Sequence, residues 1–229
     1  AITCALPASA QLAPSGYTGA LNTPTADVLP MGNAEIALTN NNPETRRQNP
    51  GVGGFGSFNL GFGVLPGLEM VGRLAFEGDL QCNQYVGGCQ SSMRDLSASA
   101  KYQLPLNLPF NTRLAIGVTD FGGAATHFRQ SYGVATTRVG DIDFSLGYSK
   151  PVSTTALMRG AFGSAVAHVT DSIQLAVEHD SQQTRAGARY QVKLSAQTSL
   201  KLAASTRLNS QPNTLNAQKI QLGVALQWA

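Results

Sequence analysis

The chain has 229 residues, a formal net charge of +3, 42% hydrophobic residues and only 13% charged ones. That length suits one large all-β domain, and so mild a charge without aromatic–basic clusters argues against a nucleic-acid partner. No apolar run approaches the roughly 20 residues a membrane-spanning helix needs, and helical spacing of apolar residues is not sustained anywhere; what recurs is alternation.

In chain order, AITCALPASA (1–10) differs from everything after it. Ala8-Ser9-Ala10 before Gln11 fits the small-residue pattern of a signal-peptidase site, so 1–10 reads as the remnant of a signal peptide, or else as an ordinary extension. Cys4 lies in no lipobox. Residues 11–32 are turn-rich and do not alternate, as expected of a periplasmic or plug-like segment. From 33 to 229, strand-like stretches follow at 33–42, 55–65, 68–79, 95–106, 112–121, 128–139, 141–149, 157–169, 173–180, 184–194, 199–209 and 218–228. The last is the clearest. Ile220, Leu222, Val224, Leu226 and Trp228 point one way, and Lys219, Gln221, Gly223, Ala225 and Gln227 the other.

Segments of about ten residues with one apolar and one polar face predict an all-β fold: a closed antiparallel transmembrane β-barrel of about twelve strands. The links support it. Pro66-Gly67, Gly140, Thr170–Ser172 and Ser195–Thr198 are tight turns, separated by longer links such as Pro43–Gly54 and Gln81–Arg94. Short periplasmic turns and longer outer loops are the barrel rule; a soluble sandwich would share the alternation but not this order of loop lengths. Cys82 and Cys89 close a small loop, and in an exported protein such a pair forms a disulfide. No His or further Cys lies near them, which argues against zinc.

The apolar parity also sorts the charges. Arg185, Arg189 and Lys193 on one strand, Lys201 and Arg207 on the next and Lys219 on the last point inward as a basic wall. Arg73, Lys101, Arg113 and Arg159 share that parity, opposed by Glu35, Glu69, Glu77, Asp141, Asp143 and Glu178. An open lumen so lined would concentrate anions such as acidic sugars; the alternative is that the cations pair with the carboxylates in a packed interior. Catalysis has little support. Ser164 and His168 share a face, but four strand residues are about 13 Å, too far for a nucleophile–base hydrogen bond. GVGGFG and FGGAA lack the strand–loop–helix setting of a phosphate loop. No metal or cofactor is expected.

GYTGALNTPTADVLPMGNAEIAL, with Gly16, Tyr17, Thr18, Gly19, Asn22, Thr23 and Pro24, resembles the opening of the YjbH family, outer-membrane proteins linked to exopolysaccharide production. LPGLEMVGRL (Leu65–Leu74) resembles that family's periplasmic turn and following strand, and a looser likeness runs to Tyr148. Typical members are several times longer, with two barrels in one chain, whereas these residues suffice for one. The resemblance implies a non-enzymatic component of polysaccharide secretion or assembly in the bacterial outer membrane: conduit, docking element or scaffold. The alternatives are a structural, partner-binding subunit of a surface complex and a small anion or oligosaccharide pore. The implied partners are membrane lipid, anionic polysaccharide and other envelope secretion or surface-complex proteins.

Overall fold

The computed structural model describes residues 11–40, 56–76, 94–122, 129–152, 158–209 and 220–229. Two short strands, β1 (Leu12–Ala13) and β2 (Tyr17–Thr18), precede twelve longer ones. These are β3 (Ala34–Thr39), β4 (Ser57–Leu65), β5 (Leu68–Phe76), β6 (Arg94–Gln103), β7 (Arg113–Gly122), β8 (Gln130–Val139), β9 (Ile142–Pro151), β10 (Gly160–His168), β11 (Ile173–His179), β12 (Thr184–Lys193), β13 (Thr198–Arg207) and β14 (Ile220–Trp228). Each pairs antiparallel with its sequence neighbour, and β14 pairs with β3, so the sheet closes as an up-and-down barrel without edges.

Alternation dictates which face is which. On β9, Phe144, Leu146 and Tyr148 are exposed on the outer wall while Asp143, Ser145 and Ser149 are buried inside. One register step would reverse both sets, so the apolar exterior and polar interior fix the pairing. Turn chemistry closes one end. Gly67 and Gly140 adopt positive φ in the β4–β5 and β8–β9 turns. The hydroxyl of Thr170 accepts from the Ser172 and Ile173 amides, and that of Ser195 from Gln197 and Thr198. The expected strand 157–169 is shorter at both ends, because Met158 and Arg159 lie outside the ladder and Val169 enters the turn. At the opposite end the β11–β12 link is a tight turn too, with Asp180 accepting from the Gln182 and Gln183 amides.

The interior is filled by the chain itself. Residues 11–29 lie within the barrel: β1 and β2 form a small hairpin, with Leu12 opposite Thr18 and Ala13 opposite Tyr17. A second turn returns the Ala20 amide to the Thr23 carbonyl at 2.8 Å. Three apolar clusters join segment to wall. Ala13, Tyr17 and Ala26 pack with Ala115, Tyr132, Val134, Met158 and Phe162; Leu12 and Leu29 with Ala37, Val71 and Ala225; Ala20 and Leu21 with Val166 and Ala176. Two glycines permit close backbone approach. A Cβ on Gly63 of β4 would sit 1.9 Å from the Pro30 carbonyl oxygen, where the wall meets the segment, and one on Gly19 would sit 2.2 Å from that of Thr23, within the segment's own turn.

Candidate functional site

Three fully buried carboxylates on the wall receive the segment's backbone. Glu35 of β3 accepts the Leu12 amide at 2.8 Å and, with its other oxygen, Lys201 Nζ at 2.8 Å. Glu69 of β5 accepts the Thr18 amide at 2.8 Å, the Leu29 amide at 3.0 Å and the Thr18 hydroxyl at 2.7 Å. Lys101 lies 3.3 Å from Glu69 and donates to the Thr18 carbonyl at 2.6 Å, the Thr18 hydroxyl and the Thr25 carbonyl. Glu178 of β11 accepts three successive amides, Leu21 at 3.0 Å, Asn22 at 2.8 Å and Thr23 at 2.9 Å, together with the Thr23 hydroxyl. Consecutive amides converging on one oxygen form an anion-binding concavity, and here a wall carboxylate fills it.

Neutral groups complete the fit. Asn59 donates to the Ala13 carbonyl at 3.1 Å, Thr136 accepts the Ala26 amide at 2.8 Å, and the Asn22 and Gln221 side-chain amides pair reciprocally at 3.1 Å. The Tyr17 hydroxyl donates to the Asn22 carbonyl at 2.6 Å, and its ring meets Tyr132 edge-on at 5.4 Å. Of the quoted family element, Tyr17, Thr18, Asn22 and Thr23 therefore bond directly, Gly16 adopts φ 82° in the hairpin turn, and Gly19 bridges to Pro24.

Arg185, Arg189 and Lys201 are buried inside the barrel, but they do not line open space. Lys201 is bridged to Glu35, Arg185 donates to the Ser205 hydroxyl, and Arg189 lies in the field of Glu178 and Glu35. Arg207 is half-buried opposite Arg185. Lys193 is exposed at the end of β12, and Arg159 is exposed before β10 begins, so neither joins an interior wall. Lys219, Glu77, Cys82 and Cys89 lie outside the described residues. Of the expected basic wall, Arg185, Arg189 and Lys201 thus sit in a filled interior, where Lys201 is bridged to a carboxylate of the wall itself. Glu35, Asn59, Thr136 and Gln221 were legible only as inward polar residues.

Near the tight-turn end, a second cluster reaches the segment. Arg113 bridges Asp27 at 3.0 Å and Asp143 at 3.4 Å; Asp143 also holds Arg138 at 2.8 Å and His168 at 2.7 Å. Asp141 is exposed in the turn. His168 faces Asp143, Arg138 and Gln174, so its described partners include no nucleophilic hydroxyl. At the opposite end, burial pushes the Asp180 carboxyl up from its ordinary value while the Gln182 and Gln183 amides pull it down. Among the described residues, no group of three or more His, Cys, Asp or Glu is placed to hold a metal ion.

No curated protein sequence matches the chain. Among solved structures, the KdgM porin is similar with a TM-score of 0.50 and 8% identity, over 86% of this chain and 98% of that one. An active-site mutant of outer membrane phospholipase A from Escherichia coli gives 0.50 and 10%, over 88% and 90%. At such identities the likeness is one of fold, a closed antiparallel barrel. The family model described as exopolysaccharide biosynthesis protein YbjH matches residues 12–187, from the first strand of the lumen segment into β12. The chain therefore belongs to the YjbH family of exopolysaccharide biosynthesis proteins.

Proposed function

We propose that this chain is a non-enzymatic outer-membrane barrel of exopolysaccharide secretion or assembly that acts as a docking element or scaffold, closed as it stands. The observation that carries the reading is the segment seated on Glu35, Glu69 and Glu178. Among the described residues, two interior voids between segment and wall measure about 20 and 10 Å³, room for a water but not for a sugar ring. More than ten segment–wall hydrogen bonds, at about 1 kcal/mol net apiece, oppose spontaneous departure, so a passive pore is disfavoured. The exposed apolar exterior supports membrane residence.

A gated conduit for acidic polymer is the second reading, favoured by the charge of the emptied wall. Among the described residues, Arg73, Lys101, Arg113, Arg138, Arg185, Arg189, Lys201 and Arg207 would then outnumber Glu35, Glu69, Asp120, Asp143, Glu178 and Asp180. One experiment separates the two. Ala26→Cys with Thr136→Cys joins positions in contact through the Ala26 amide and Thr136 hydroxyl, locking the segment in place. Deleting the gene should lower surface polysaccharide, and the locked variant should restore it. Failure of the oxidised form alone, with recovery on reduction, would overturn the scaffold reading in favour of the conduit; no effect of deletion would reject both.

A further inference from the structure

The outer wall is not uniformly bulky. Across β5–β9 the register aligns Leu68, Tyr102, Ile116, Gly133 and Tyr148 in one cross-strand row. The adjacent row runs Ala100, Val118, Ser131 and Lys150. Small Ala100, Ser131 and Gly133 among the exposed rings of Tyr102 and Tyr148 and the exposed Ile116 leave a groove of about 520 Å³. It is apolar along its length and no carboxylate lines it. Four strand spacings of about 4.8 Å make it on the order of 19 Å long, enough for a long acyl chain.

Its two ends differ chemically. Leu68 is the first residue of β5, beside the Pro66-Gly67 turn, whereas Lys150 is the penultimate residue of β9 at the opposite rim. Arg129 joins Lys150 there: its carbonyl accepts the Val152 amide at 2.9 Å, and both cations are exposed. An apolar track ending in two cations is complementary to one class of molecule, an acyl chain carrying a phosphate.

We infer that this groove is a binding site for a phosphorylated, acylated lipid of the outer leaflet, its acyl chain lying over Gly133 and its phosphate on Lys150 and Arg129. The chain inside a bilayer is already out of water, so burial alone selects nothing. Selectivity comes from dispersion contacts that only a flexible chain can make in the recess and from roughly fivefold preference per interfacial cation. The inference rests on the membrane location proposed above, which partition of the intact chain into detergent rather than plain buffer tests separately.

The test is native mass spectrometry of the detergent-purified chain titrated with diphosphorylated lipid A and with the same lipid stripped of its phosphates. The phosphorylated form should be retained preferentially, Lys150→Gln should cut that preference roughly fivefold, and Gly133→Leu or Ala100→Leu should abolish retention by filling the recess. Heat-modifiable migration shows which variants remain folded. Equal retention of both lipids, retention unchanged in both filled-groove variants while folded, or a dimer in place of a lipid adduct would overturn the inference, the last assigning the groove to a second copy of the chain.

Discussion

Replacing Glu178 by Ala tests whether the wall carboxylates seat the segment. The side chain accepts the Leu21, Asn22 and Thr23 amides within 3.0 Å, and all three residues are buried. Truncation leaves those donors without an acceptor, at about 1–3 kcal/mol each, so the turn around 20–25 should lose at least 3 kcal/mol of local stability. The hairpin held by Glu35 and Glu69 keeps its own anchors and should stay in place. At 1.4 kcal/mol per factor of ten, the Leu21, Asn22 and Thr23 amides should exchange with deuterium at least a hundredfold faster, while the Leu12 and Thr18 amides change little. Because the ladders of β10, β11 and β12 are untouched, heat-modifiable migration should persist. Unchanged exchange at all three positions in a folded barrel would refute the claim that Glu178 holds the segment.

Lys201→Met should cost about 3–5 kcal/mol by leaving Glu35 buried without its cation, and adding Glu35→Gln should recover part of it; thermal unfolding of both variants measures the difference. Gly63→Ala should free the segment near Pro30, since the new Cβ meets that carbonyl at 1.9 Å, and protease cleavage close to residue 30 reports it. Leu146→Arg on the outer face, where Leu146 is 70% exposed, should cost about 2–4 kcal/mol at mid-membrane depth, read by denaturant unfolding in lipid vesicles. Tyr17→Phe should cost about 1–3 kcal/mol, because the buried Asn22 carbonyl loses its donor, again by unfolding.

Strands such as β14 and β9 were legible because each residue's face follows from its neighbours two positions away, a local property. The segment–wall bonds were not, because they join residues 23, 51 and 157 positions apart. Arg185, Arg189 and Lys201, inward by parity, are buried in the interior. Parity could not tell an aqueous wall from a packed one, because both demand polar side chains on the same face. Lys193 shows the limit from the other side: its parity is inward, yet its place at the strand end leaves it in solvent. Depth along the strand, not parity, decides its environment.

The Gly16–Pro24 element gains a physical meaning from this arrangement. Its sequence holds two glycines, three hydroxyls and a proline. In the fold its amides and hydroxyls are met by wall groups on separate strands, Glu69 and Lys101 at Thr18, Glu178 at Thr23 and Gln221 at Asn22. A barrel interior must give its polar wall either water or partners, since buried polar groups left alone cost free energy. Here the partners come from the chain's own backbone. The residues that carry the family likeness are therefore those that shape the segment to this wall, and any passage through the barrel would require the exchange of those bonds for others of equal number. A signal able to make that exchange must supply acceptors for Lys101, which loses the Thr18 and Thr25 carbonyls, and donors for the three carboxylates, a demand more readily met by a protein or a hydrated polymer than by a small ion.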